Sequence, residues 1–208
     1  MADGEARPRR VGLISRARAI LLRTEVEWEV VDLEPATIVG LFIGYACILA
    51  AIRPLAEIPQ HLLVNRWLSA STLAITAIEY GVSLVDVLIL GLIVNALAPI
   101  YRGQRSLVQA MKLSVYSHTP GWVVGVLYIL PIPGFLAMIA GVYGFYILCL
   151  GLPTLMKTPR EDIVGYFVGV GFGAFAVGAI SAWLMNLLSL SMLAGAPLSG
   201  AASRVFVR

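Results

Sequence analysis

Few side chains in this sequence have types suited to catalysis or transport, and they interrupt stretches that are otherwise apolar. These side chains are Asp86, Asn95, Tyr116, His118 and Tyr143. Ionisable groups at membrane depth are costly to bury and are often functional, so an acid with a tyrosine partner is typical of a proton or cation site. The other interpretation is that Asp86 is protonated, or hydrogen-bonded to a neighbouring helix, and only fixes packing. Both interpretations are open at this point.

His118 stands in the segment YSHTPGW, where a proline follows three polar side chains. Pro120 lacks the amide that would bond to the carbonyl of Tyr116 in a helix, so that carbonyl needs another donor. Ser117, Thr119 or water can supply it. The pattern predicts a kink, with His118 either satisfied by local hydrogen bonds or acting at a polar site.

The sequence has none of the motifs that organise the common catalytic sites. It contains no H-E-x-x-H, no G-x-S-x-G, no glycine loop followed by Lys-Ser or Lys-Thr, and no C-x-x-C. Its two cysteines, Cys47 and Cys149, lie in separate apolar stretches, where we expect them to be small core residues. We therefore expect a protein that is not an enzyme and that has no cofactor and no metal site.

The composition places these residues in a membrane. Apolar residues make up 59% of the chain and charged residues 13%, and the mean hydropathy is +0.88. Soluble domains carry about 25% charged residues, and a helix needs about 20 apolar residues to cross the hydrocarbon core. The sequence predicts an all-α integral membrane protein, a bundle of five transmembrane helices at about 36–52, 75–100, 113–130, 135–152 and 163–189.

Depth along neighbouring spans decides which polar residues can meet. The second span is predicted to end on the side where the third begins, which puts Tyr116 and His118 level with Asn95. At about 1.5 Å per residue, Asp86 is then on the order of 13 Å away from Asn95 in depth. The sequence therefore predicts that Asp86 and His118 do not share a metal site.

The distribution of basic residues predicts the orientation. Most of the 15 Lys and Arg residues fall before the first span or in the connections around Arg102 and Lys157. Because cytoplasmic segments carry an excess of Lys and Arg, the N-terminus is predicted to be cytoplasmic and the C-terminus external. The chain divides into a head at 1–35, a transmembrane domain at 36–189 and an external tail at 190–208.

Apolar residues recur at helical spacing in the head, from Leu13 to Leu21, while arginines occupy the other positions. This pattern predicts an amphipathic helix that lies on the cytoplasmic leaflet. The expected partners of the head are anionic lipid headgroups, contacted by Arg16, Arg18 and Arg23. The acidic run from residue 25 to residue 34 is expected to be a solvated connector, and the tryptophan within it an interfacial anchor.

Two motifs occur in a fixed order, Tyr-Ser-x-Thr-Pro in the third predicted span and Gly-Leu-Pro-x-Leu-Met-Lys at the end of the fourth. The surrounding segments are VEWEVVDLEPATIVGLFIGY, ALAPIYRGQRSLVQAMKLSVYSHTPGW and YGFYILCLGLPTLMKTPREDIVGY. With them, nearly the whole chain resembles the Yip family of membrane proteins, named from the Ypt-interacting proteins, in its bacterial form. The motif residues are Tyr116, Ser117, Thr119, Pro120, Gly151, Leu152, Pro153 and Lys157.

The resemblance implies five helices, a cytoplasmic N-terminus and a multi-pass location in the bacterial inner membrane. Eukaryotic members of the family are linked to Rab-type GTPases and to vesicle traffic. Their long cytoplasmic N-terminal region is not obvious here, and for bacterial relatives the resemblance supplies a fold and no settled activity.

Two functions follow from these features. The first is a non-enzymatic membrane scaffold or adaptor that binds lipids or protein partners, which include a second copy of the chain or another membrane protein. Small residues four apart, such as Gly40 and Gly44, suit close helix packing within the chain or between chains. The alternative is a small transporter or channel for an ion or proton that uses Asp86. With a net charge of only +3, nucleic acid is not an expected partner.

Overall fold

A computed structural model describes residues 12–65, 69–130 and 135–194. Every regular element in these ranges is helical. The first residues of the head, 1–11, the connection at 131–134 and the tail beyond 194 lie outside the described residues. The ten α-helices of the described part are α1 (Leu13–Leu22), α2 (Thr24–Leu33), α3 (Ile38–Leu41), α4 (Cys47–Ala50), α5 (Ile52–Asn65), α6 (Ala70–Leu97), α7 (Leu107–Ser117), α8 (Thr119–Val124), α9 (Phe135–Met156) and α10 (Ile163–Ala194).

Four continuous helical stretches in the described part are long and apolar enough to cross a membrane. They are Ile38–Leu62, Ala70–Tyr101, Phe135–Met156 and Ile163–Ser191. A π-helical turn, Phe42–Ala46, joins α3 to α4 within the first of them, and a 3₁₀ turn, Ala98–Tyr101, extends α6. The molecule is therefore a helical membrane protein.

The predicted third span, 113–130, is not one helix. It consists of α7, α8 and a 3₁₀ turn, Gly125–Ile129, none of which is long enough to span alone. The cause is the break at Pro120, which cannot donate to the preceding turn. The predicted count of five transmembrane helices therefore exceeds the four long helices of the described part.

The first long helix does not end at Arg53, as the sequence predicted, but continues as α5. Arg53 donates to Glu57 one turn later, at 2.7 Å, and to Glu79 of α6, at 3.4 Å. Because its charge is paired along and across the helices, Arg53 does not stop the helix. The fourth span likewise continues beyond its predicted end at 152, and it stops at Lys157, which adopts a left-handed conformation with φ of 52°.

The head packs into the same core as the long helices. The side chains of Ile20 and Trp28 are fully buried, and the indole of Trp28 donates to the carbonyl of Ile147 in α9 at 3.1 Å. Thr24 donates to the carbonyl of Ile20 at 2.7 Å and bonds α2 to α1. The prediction of Trp28 as an interfacial anchor is therefore wrong, because its ring contacts protein on all sides.

Two connections meet each other and the head at one end of the bundle, which we call the head end. The amide of Gln104 donates to the carbonyl of Met156 at 2.7 Å, Arg102 pairs with Glu161 and Asp162, and Lys157 pairs with Asp32 of the head. At the opposite end, which we call the far end, Arg53 lies 4.7 Å from the centre of the Tyr128 ring.

Candidate functional site

The break between α7 and α8 has its hydrogen bonds satisfied by its own hydroxyls. The Thr119 hydroxyl donates to the carbonyl of Tyr116 at 2.7 Å, in place of the amide that Pro120 lacks. The Ser117 hydroxyl donates to the carbonyl of Ser114 at 2.9 Å, and Nδ1 of His118 lies 2.8 Å from the same carbonyl oxygen. The predicted kink is confirmed, and Thr119 is the donor that the sequence left open.

Contacts between α6 and the broken segment fix the level of His118. The Ser114 hydroxyl donates to the carbonyl of Val87 at 2.6 Å, and the indole of Trp122 donates to the Ser83 hydroxyl at 3.3 Å. His118, halfway between these two contacts, is therefore level with the residues around 85 of α6.

The prediction that His118 is level with Asn95 and distant from Asp86 is wrong. His118 is level with the part of α6 that contains Asp86. Much of the error comes from the start of the segment, since α7 begins at Leu107 whereas the span was predicted to begin at 113. The six additional residues move His118 along the bundle by about 9 Å.

Asp86 is half-buried between α6 and α10, where the Ser181 hydroxyl donates to its carboxyl at 2.6 Å. It lines a cavity of about 560 Å³ whose other walls are mostly apolar, among them Val85, Ile89 and Ile180. His118 lines a separate cavity of about 150 Å³ between α8 and α9. The sequence analysis missed Ser181, and the only feature that could have indicated it is a hydroxyl side chain within an apolar helix.

The five predicted polar residues do not form one site. Asp86 and His118 share a level but line separate cavities, whereas the hydroxyl of Tyr143 donates to the carbonyl of Leu21 in the head at 2.6 Å. The side-chain oxygen of Asn95 is buried without a partner among the described residues. Tyr116 faces the head, where its ring packs edge-on to Trp28 with ring centres 6.3 Å apart, and it also packs edge-on to Tyr45 of the first long helix at 4.9 Å.

A second polar cluster lies where the head meets the bundle. Arg16 is buried and pairs with Glu27 and Glu34, and its guanidinium carbon lies 5.9 Å from the centre of the Tyr116 ring. Arg16 is therefore engaged inside the protein, and the prediction that it contacts lipid headgroups is wrong for this residue. Arg18 and Arg23 are exposed.

Lys112 belongs to the same cluster and was missed by the sequence analysis. It is 3% exposed, and its ammonium donates to the carbonyls of Val31 and Glu34 at 2.8 and 2.6 Å. The available signal was its position four residues before Tyr116, which puts both side chains on one face of α7.

The acidic run of the head is not a solvated connector. Three of its members make ion pairs, because Glu27 and Glu34 bind Arg16 and Asp32 binds Lys157 at 2.5 Å. Asp32 also accepts from the amide group of Gln109 at 3.0 Å. These contacts join the head to α7 and to the end of α9.

The motif at the end of α9 packs against the head. A Cβ at Gly151 would lie 2.5 Å from Leu113 and 2.6 Å from the Trp28 ring, so only glycine allows this approach. Leu152 is buried, and α9 continues through Pro153 to Lys157. Both sequence motifs therefore lie on the helices that receive the head.

Comparison with known families matches residues 11–182 to the Yip1 domain. The match includes the head, both motifs and most of α10. No curated protein matches the chain, and no solved structure does. Among the described residues, no three His, Cys, Asp or Glu side chains converge into a group that could hold a metal.

Proposed function

Because the chain belongs to the Yip1 domain family, we propose that it is a non-enzymatic membrane scaffold or adaptor whose head binds the lipid surface or a protein partner. One observation carries this proposal. While one face of the head is buried in the bundle, the other face exposes large apolar side chains. These are Ile14, Leu22, Val26, Val30 and Leu33, between 46% and 84% exposed.

Arg18 lies between Ile14 and Leu22 on α1, and Arg23 follows at the corner between α1 and α2. Apolar side chains flanked by exposed arginines suit the boundary between acyl chains and anionic headgroups. We call this surface, formed by the five apolar side chains with Arg18 and Arg23, the head face. The ion pairs and hydrogen bonds on the other side of the head hold it at a fixed position on the bundle.

The placement in the membrane is part of the same proposal. The broken segment α7 to α8 runs from the head end, where Gln109 contacts Asp32, to the far end, where Tyr128 contacts Arg53. We take it as a fifth crossing made of short helices, with the head end cytoplasmic and the C-terminus external. For a bacterial chain this places the protein in the inner membrane.

The experiment compares purified full-length protein with the double variant Arg18→Glu, Arg23→Glu. We expect the variant to lose co-purifying anionic lipid or the protein partners that the unchanged chain retains, measured by mass spectrometry of both fractions. A variant with the same two arginines changed to lysine keeps the charge and is the matched control. If charge reversal leaves lipids and partners unchanged, the head face is not the binding surface.

The common level of Asp86 and His118 in the bundle favours a second function, a small proton or ion transporter. Each of the two residues lines a cavity of its own at this level. Flux in proteoliposomes tests this function, with Asp86→Asn as the variant that should abolish it. Absence of flux for protons, sodium and potassium would exclude it.

A further inference from the structure

A cavity of about 530 Å³ opens between α1, the chain from residue 34 to residue 45, and α7. Its polar end contains Arg16, Glu34, Lys112 and Tyr116. Its apolar end follows α3 and the π-helical turn, where Gly40 and Gly44 form the floor. We call this cavity the head groove. Its two ends differ in polarity, as the two ends of an amphiphile do.

The polar end is lined by charged groups of both signs. Arg16 and Lys112 are its two cations and Glu34 is its carboxylate, while Glu27 pairs with Arg16 from outside the lining. The Glu34 side chain is 29% exposed, so its carboxylate can accept a further hydrogen bond. Cations beside an accessible carboxylate suit a ligand that itself has one negative and one positive group.

Two donors at the polar end have capacity that the described residues do not use. An ammonium group has three N–H donors, and Lys112 directs two of them to the carbonyls of Val31 and Glu34. Tyr116 also lines the groove, and its hydroxyl makes no hydrogen bond to any residue that the structure describes. These donors are therefore available to an acceptor that lies in the groove.

The apolar end is open to the surface that faces lipid. A Cβ at Gly44 would meet no atom within 4 Å, and the neighbouring Val39 and Ile43 are 67% and 66% exposed. An acyl chain can therefore lie along α3 without displacing a side chain. The π-helical turn widens the helix at this place, and such turns are frequent at functional sites.

We propose that the head groove binds one phospholipid with a zwitterionic, primary-ammonium headgroup, as in phosphatidylethanolamine. The phosphate accepts from Lys112 and Tyr116, the ammonium donates to Glu34, and an acyl chain covers Gly40 and Gly44. A primary ammonium donates hydrogen bonds, which the quaternary ammonium of phosphatidylcholine cannot do. The inference rests on the proposed function in one respect, because it needs the head at the membrane surface.

The test is a lipid titration of the purified full-length protein, followed by native mass spectrometry. The probes are phosphatidylethanolamine, phosphatidylcholine and phosphatidylglycerol with the same acyl chains. We expect one phosphatidylethanolamine per chain, bound about tenfold more tightly than the other two lipids. Equal binding of the three lipids, or preference for phosphatidylglycerol, would overturn the proposal.

Two variants locate the bound lipid. Gly44→Leu fills the floor of the groove and should weaken binding of phosphatidylethanolamine by about tenfold. Tyr116→Phe removes only the hydroxyl and should weaken it by about three- to tenfold, the effect of one lost hydrogen bond. Gly178→Leu is the matched control, because a Cβ at this exposed position of α10 also meets no atom within 4 Å. If Gly44→Leu binds like the control, the lipid is not in the groove.

Free phosphoethanolamine distinguishes a lipid from a soluble ligand with the same headgroup. We expect no displacement of the bound lipid by millimolar phosphoethanolamine, and displacement would contradict a lipid site. The variant Arg18→Glu, Arg23→Glu separates the two proposals, since it changes the head face and leaves the groove intact. Retained phosphatidylethanolamine in that variant supports the groove whatever becomes of the head face.

Discussion

Arg16 shows how the head is fixed at the level of single residues. Its guanidinium is buried between the carboxylates of Glu27 and Glu34 and above the Tyr116 ring. A buried ion pair adds little net stability, but loss of one partner leaves an uncompensated charge. The pair therefore fixes the position of α1 on the bundle more than it strengthens the fold.

Removing the Arg16 charge should destabilise the protein. We expect Arg16→Leu to lower the free energy of unfolding by about 3 kcal/mol, because Glu27 and Glu34 lose their counter-ion. Thermal unfolding in detergent measures the change. Arg18→Leu, an exposed position on the same helix, should stay within about 0.5 kcal/mol, and adding Glu27→Gln and Glu34→Gln to Arg16→Leu should recover stability. Equal effects at positions 16 and 18 would contradict the buried ion pairs.

A substitution at Gly144 tests how closely α9 approaches the break between α7 and α8. A Cβ at this position would lie 2.6 Å from the backbone oxygen of Ser117, which cannot move without shifting α7. We expect Gly144→Ala to destabilise the protein by about 1 to 3 kcal/mol, the usual cost of overpacking. Gly141→Ala lies one turn earlier and meets no atom within 4 Å, so its melting temperature should not fall. A similar melting temperature for both variants would show that α9 does not approach Ser117.

At the scale of elements, the break between α7 and α8 depends on one hydroxyl. Thr119 donates to the carbonyl of Tyr116 and lies 2.9 Å from the hydroxyl of Tyr45, which joins the break to the first long helix. The isosteric change Thr119→Val leaves both groups without a partner and should cost about 1 to 3 kcal/mol. Thr119→Ser keeps the hydroxyl and should retain most of the stability in the same unfolding measurement. If the stability of Thr119→Val were unchanged, water rather than Thr119 would be the hydrogen-bond partner of the Tyr116 carbonyl and the Tyr45 hydroxyl.

The elements differ in how far the sequence predicts them. The long helices follow from apolar length alone, and the kink follows from Pro120. The common level of Asp86 and His118 could not be predicted, because it depends on where α7 begins. The start of α7 is set by the Ser106 cap, whose hydroxyl accepts from the amide of Gln109, and not by hydropathy.

The head illustrates the same limit. Its amphipathic pattern predicts a helix with an apolar face, but it does not say whether that face contacts lipid or protein. In the structure, Ile20 and Trp28 are fully buried against protein, whereas Ile14 and Leu33 are mostly exposed. The arginine that the pattern assigned to headgroups, Arg16, is buried because two acids that come later in the chain fold back to it.

For the whole molecule, the side of the membrane on which the head end lies can be measured. Single cysteines at Glu161, whose side chain is 79% exposed at the head end, and at Ser71, exposed at the start of α6, report the two sides. With Cys47 and Cys149 replaced by alanine, a membrane-impermeant maleimide added to intact cells should label Ser71→Cys and not Glu161→Cys. If the reagent labelled both cysteines from outside, positions 71 and 161 would not lie on opposite sides of the membrane. If it labelled only Glu161→Cys, the head end would be external, which would contradict the proposed orientation.

The central claim is that one face of the head is buried in the bundle while the other meets the membrane surface. Spin labels at single cysteines in the full chain, reconstituted in vesicles, measure this through accessibility to oxygen in lipid and to a nickel complex in water. We predict high oxygen accessibility at Ile14, Leu22 and Leu33, and low accessibility to both reagents at Ile20. High nickel accessibility at all four positions would contradict the account.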